Sequence, residues 1–223
     1  MDFFPVTQSG AEWHVEGFEQ AAKLIRVDGP DARRLSDLCL HRNDLVLAAE
    51  CLAAMNQVSE EPHVLRTALW SSAIVHSTKC FGTSNARERL NPKEVYVNEP
   101  PEAHDSFEFF RALRDKHVVH DDNACAQSIP CAVLNKAESP YKIEKILCLT
   151  AQQVTLEQNT YANLKLLIEK ALAWVISEFD ICCELLTHEL ESKSYEELNG
   201  KGCLTYRPAC AEDVPKNRRA THP

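Results

Sequence analysis

The sequence predicts a mainly α-helical bundle with one short β-hairpin inserted before a long last helix. Three observations carry that expectation. Apolar residues recur at helical spacing through most of the chain. Only 6 glycines occur in 223 residues, too few for a turn-rich β architecture. The segment "TLEQNTYANLKLLIEKALAWVISEFDICCELLTHELES" sustains an apolar face from Leu164 to Leu190. At this length one domain, 1–223, can bury a core without staples, and 44% hydrophobic with 26% charged residues is ordinary for a globular protein.

Residues 1–36 carry the weakest pattern. "AEWHVEGFEQAAKLIRV" reads as a short strand followed by a helix, after which Gly29-Pro30 breaks the chain. From Asp37 the pattern is helical, with Leu38, Val46, Ala49, Leu52 and Ala53 close to one face. "SEEP", Ser59 to Pro62, is a helix start signal: a cap residue, first-turn acids and proline near the first helical position. The helix that follows, "HVLRTALWSSAIVHSTKCFG", is apolar around much of its circumference, which suits a central place in a bundle, and Gly82 ends it. Residues 83–103, with "NPKEVYVNEPPEAH", read as a long surface loop with room for one helical turn. A helix from Asp105, its cap, to Val119 comes next. "IPCAVLN" and "YKIEKILCLT", separated by "KAESP", form the hairpin over 129–150. In the last helix Thr155 and Gln158 make a capping box. Gly200 and Gly202 close the region, and 203–223, ending "PKNRRATHP", reads as a mobile tail.

The net charge of −9 repels nucleic acid and anionic membranes over the surface as a whole. An RNA site would therefore have to be a local positive patch or a cleft shared between subunits. From Lys79 to Asp122 acids outnumber lysines and arginines nine to seven, so no basic track is visible there, and Lys79 and Arg87 read as solvated surface charges. Of the 10 cysteines, Cys39, Cys51, Cys80, Cys148, Cys182 and Cys183 fall in apolar runs, where a free thiol acts as a small hydrophobe. No C-x-x-C pair occurs, the opening "MDFFPVTQSGAEWH" has no signal-peptide pattern, and no apolar run reaches membrane-spanning length. These features predict a cytoplasmic protein without disulfides, metal or cofactor.

The densest chemistry is "FFRALRDKHVVHDD", Phe109 to Asp122. On a helix at about 100° per residue, Phe107, Phe110, Arg114, His117 and Asp121 share one stripe, and Phe109, Leu113, Lys116 and His120 an adjacent one. The phenylalanines anchor a helix whose last turns present Arg114, Asp115, His117 and His120. Arginine with histidine is what phosphodiester chemistry without a metal requires. Histidine moves protons near neutral pH, and a guanidinium holds phosphate and stabilises the charge that grows in the transition state. RNA brings its own nucleophile, the 2′-hydroxyl.

"RDKHVVH" resembles the arginine–polar–spacer–histidine motif of the HEPN superfamily, and the run from the helix at 64 to the motif is similar to uncharacterised bacterial and phage helical proteins with an R-[DN]-K-H-x-x-H signature. The resemblance covers about half the chain and leaves out the hairpin and both ends. It implies a HEPN-like helical bundle, a homodimer, and a metal-independent endoribonuclease of a toxin–antitoxin or phage-defence system, with an antitoxin or defence protein as a further partner. His120 would be the general acid/base, Arg114 the phosphate clamp, Asp115 the residue that orients the arginine, and His117 an addition to the minimal motif.

Two other readings stand beside it. Arg114 and His120 would also suit a structural network with Asp115, Asp121 and Asp122 in a non-catalytic interaction module or adaptor. "HDD" further invites a metal phosphohydrolase reading, with His76 upstream and Asp180 downstream of His120-Asp121. Against it, His76 falls with Leu65, Leu69, Ala73 and Cys80 on an apolar face, where a packed histidine is the commoner outcome.

Overall fold

A computed structural model of the protein describes residues 6–9, 12–18, 20, 21, 23–58, 63–120, 122–152, 155, 156, 158–202, 204 and 209–216. Among these residues six α-helices and two two-stranded antiparallel sheets form, so the chain is mainly helical. In order they are β1 (Val6–Ser9), β2 (Glu12–Val15), α1 (Pro30–Met55), α2 (His63–Lys79), α3 (Pro92–Val95), α4 (Pro101–Leu113), β3 (Ala126–Leu134), β4 (Ile143–Gln152), α5 (Gln158–Glu191) and α6 (Tyr195–Gly200). A π-helical turn, Arg114–Val118, continues α4, and a 3₁₀ turn covers Ala211–Asp213 inside the expected tail.

Helix α1 starts seven residues before Asp37. Gly29 adopts φ +122°, a conformation that favours glycine, and Pro30 then occupies the first helical position, where its missing N–H costs nothing. The dipeptide that reads as a break is thus a helix start. "SEEP" lies outside the described residues. In α2 the buried face is Trp70, Ala73, Ile74 and Ser77, while Val64 and Leu65 are exposed. Helix α4 begins at Pro101, again with proline inside the first turn, so Asp105 is an interior residue and not a cap. Thr155 is not a cap either. Helix α5 begins at Gln158, and the Thr155 hydroxyl accepts a hydrogen bond from Trp70 Nε1 at 3.2 Å. The N-terminal segment pairs as a hairpin, Val6 opposite Val15, and the described residues between it and α1 form no helix.

The chain forms two compact units, both drawing on α1 and α5. One unit comprises 1–43, 82–90 and 172–223. Its loop 82–90 is clasped to α1 through one residue. The Glu88 N–H donates to the buried Asp37 carboxylate at 2.9 Å, and the Glu88 carbonyl meets His41 Nε2 at 2.8 Å. Leu38, Leu90, Val175, Cys182 and Leu186 of this unit are buried. Arg34 donates to Glu178 at 2.6 Å, and the Leu204 N–H donates to the Leu24 carbonyl at 3.0 Å.

The other unit comprises 44–81 and 91–171. Its core takes Leu45, Leu52 and Met55 from α1, Trp70 and Ile74 from α2, Phe107, Phe110 and Leu113 from α4, and Leu164, Ile168 and Ala171 from α5. Trp70 meets Phe110 edge-on at 6.0 Å, and Phe107 meets Phe81 at 4.7 Å. Tyrosine hydroxyls find carbonyls: the buried Tyr96 donates to Leu167 and the part-buried Tyr161 to Leu52. Hairpin β3–β4 pairs Ile129 with Leu149 and Ala132 with Ile146, and nearly every one of its residues is exposed.

Candidate functional site

The motif sits where α4 gives way to the π-helical turn. Phe107, Phe110 and Leu113 bury the α4 face, and the turn packs against α2. The widened geometry is seen in the Val119 N–H, which donates to the Arg114 carbonyl five residues back at 2.9 Å. The Asp122 N–H then reaches the Lys116 carbonyl at 2.9 Å, curling the chain back on the turn. Such π-helical insertions recur at functional sites.

Arg114 is half-buried and follows Phe107 and Phe110, as its stripe predicts. Leu113 departs from its expected stripe and is buried with the phenylalanines, because the apolar face is wider than one row. Arg114 Nε donates to Asp115 Oδ1 at 2.7 Å, and Nη2 of the same guanidinium also contacts Oδ1. Asp115 therefore grips one edge of the guanidinium and leaves Nη1 with no hydrogen-bond partner among the described residues. The Arg114 side chain is 28% exposed.

His117 is half-buried, and its Nδ1 is buried with no hydrogen-bond partner among the described residues. His120 lies beyond the helix and is exposed. No hydrogen bond joins Arg114 to either histidine among the described residues. Arg114 and Asp115 are thus brought together; His120 is left in the coil that follows. Asp121 lies outside the described residues, and Asp122 is exposed. Among the described residues of the motif, Arg114, Asp115 and His117 are part-buried and His120 and Asp122 are exposed.

The upstream residue of the metal reading, His76, is engaged with Asp44. His76 Nδ1 lies 2.9 Å from Asp44 Oδ1, and Lys79 Nζ lies 3.0 Å from the same oxygen. His76 is half-buried and paired through this contact. Among the described residues no group of three or more His, Cys, Asp or Glu is arranged to hold a metal.

No protein-family profile, curated protein or solved structure matches the chain.

Cys51, Cys80 and Cys182 are buried, but Cys148, read as an inert core thiol, is exposed on β4. Burial pushes the Cys182 and Cys183 thiols up. No helix among the described residues is long and apolar enough to cross a membrane.

Sequence reasoning missed a second concentration of charge. Arg87 is buried, not solvated, and with Arg33, Arg34 and Arg89 it lines a cavity between α1 and the loop 82–90. The two pairs of arginines are more than fifty residues apart in sequence, and the Glu88 clasp joins the segments that carry them.

Proposed function

We propose that the chain is a metal-independent endoribonuclease with a HEPN-like helical bundle, acting as a homodimer in a toxin or phage-defence setting. The observation that supports this best is the half-exposed Arg114 guanidinium, held along one edge by Asp115 with its other edge free. An arginine fixed in that way is oriented before substrate arrives, which lowers the entropy lost on gripping a phosphate. In this reading His120 takes the proton of the RNA 2′-hydroxyl as its oxygen attacks phosphorus. The 5′-oxygen leaves with a proton from an acid, the phosphate closes to a 2′,3′-cyclic diester, and Arg114 stabilises the extra charge on the phosphoryl oxygens. A second copy of the motif across a two-fold axis would supply that acid.

The hairpin supports an oligomer. Ile129 and Leu149 on one face and Ile146 on the other are 54%, 61% and 67% exposed, and an isolated two-stranded hairpin is marginal in water. The same exposed hairpin supports the second reading, a non-catalytic interaction module docking a defence-system partner. The deciding experiment incubates the protein with a mixed RNA pool in chelator and maps the ends. Fragments with 2′,3′-cyclic phosphates that vanish with His120→Ala support the nuclease. Intact RNA leaves the interaction module. Light scattering checks the dimer, for which a monomer near 25.1 kDa would be the refuting result.

A further inference from the structure

We infer that the arginine-lined cavity between α1 and the loop 82–90 is a binding site for a small phosphate-bearing anion. The proposal does not rest on the nuclease reading. The cavity holds about 610 Å³, within the range of small-molecule sites and large enough for a nucleotide. Arg33, Arg34, Arg87 and Arg89 line it against two acids, Asp37 and Glu88, a net +2 in a chain of net −9. Such a reversal of local sign is the electrostatic signature of an anion site.

The clasp explains how it is built. Asp37 and His41 hold the Glu88 backbone on α1, so the flanking Arg87 and Arg89 line the same cavity as Arg33 and Arg34. The arginines are not equivalent. Arg34 is bonded to Glu178, which fixes it and offsets its charge. Arg87 is buried in the wall, where low polarisability screens a charge little. Arg33 and Arg89 are exposed and have no ion partner among the described residues. They are the two guanidiniums at the disposal of an incoming ligand, and a guanidinium fork matches paired phosphate oxygens.

The chemistry of the wall narrows the ligand. Thr83 and Ser84 add hydroxyls, and no aromatic side chain is among the described lining residues, so none of these offers a platform for stacking a base. Affinity should therefore follow phosphate charge and be indifferent to the base. A small anion also fits better than a polymer, because the acidic surface outside the cavity would repel an extended polyanion.

The test is titration calorimetry on the full chain at low salt, with inorganic phosphate, pyrophosphate, ATP and GTP as probes. Expected is saturable binding that tightens from phosphate to pyrophosphate, with ATP and GTP alike. Arg33→Glu with Arg89→Glu should weaken pyrophosphate by well over tenfold, since each lost charged contact is worth about tenfold or more. Both positions are exposed, so the fold should persist by circular dichroism; the single Arg89→Ala, expected to lose about tenfold, serves if the double variant does not fold. No heat with any probe at millimolar concentration overturns the site, as does undiminished binding in the variants. A short single-stranded RNA that binds through Arg33 and Arg89 and is not displaced by pyrophosphate would overturn the small-ligand assignment.

Discussion

Removing Arg114 or His120 should abolish RNA cleavage while leaving the protein folded, and the structure sets the sizes of both effects. The Arg114 and Asp115 side chains are 28% and 47% exposed, so their ion pair belongs to the class worth about 0–1 kcal/mol. His120 is exposed, and substitutions at such positions usually stay within about 0.5 kcal/mol. At about 2–4 °C per kcal/mol for a chain of this size, neither Arg114→Ala nor His120→Ala should lower Tm by more than about 4 °C. A lost general acid/base costs about 10²–10⁴ in rate, or about 3–5 kcal/mol of transition-state stabilisation, well beyond any loss of folded protein. Asp115→Asn keeps the side chain's shape and weakens its hold on the guanidinium, so it should fall between wild type and Arg114→Ala. The assay pairs melting curves with cleavage of a mixed RNA pool in chelator, scored by 2′,3′-cyclic phosphate ends. The reasoning fails if His120→Ala cleaves like wild type. It also fails if either alanine variant melts more than about 10 °C lower, since the motif would then be holding the fold together.

Three further outcomes follow from the core and its thiols. Phe110 is 1% exposed and edge-on to Trp70, so Phe110→Ala should cost about 3–5 kcal/mol and lower Tm by on the order of 10 °C in calorimetry. Burial, with a smaller contribution from Cys80, raises the Tyr96 phenol well above its usual range. Stability from keeping it neutral is complete below the ordinary phenol value of about 10 and is lost as pH climbs through the raised folded-state value. Urea midpoints should therefore fall at alkaline pH, and Tyr96→Phe should flatten that limb. Iodoacetamide near pH 8 should modify the exposed Cys148 well before Cys182, whose raised thiol stays protonated; mass mapping of Cys182 as the first site would refute the assignment.

What the sequence made legible was periodic or punctuated locally. The long apolar stripe of α5 and the β3–β4 hairpin are read from patterns a few residues apart, and both form. Helix starts were misplaced where proline was taken as a breaker. Pro30 and Pro101 both lie in the first helical turn, where φ is already helical and no N–H is needed. In the site, the Arg114–Asp115 pair joins neighbours and could be read directly. The Asp44–His76–Lys79 cluster and the arginine cavity join distant segments, and no spacing rule reaches across them.

The relation between Arg114 and His120 is a separate case, because sequence spacing gave an answer that the backbone overrides. On a straight α-helix six residues turn through about 600°, which puts the two side chains about 120° apart around the axis. That geometry would poorly suit the proposed nuclease, in which the two groups meet one phosphate. The π-helical turn changes the rotation per residue across Arg114–Val118, and the helix ends before His120. His120 is therefore placed by the coil and by the Asp122-to-Lys116 hydrogen bond, not by helical periodicity. In the proposed nuclease a coil position would let the imidazole approach a bound phosphate from a direction the helix would forbid, at the cost of ordering it when substrate binds. Arg114, fixed by Asp115, needs no such ordering. In the proposed nuclease the arginine would set where the phosphate sits, and the histidine would come to it.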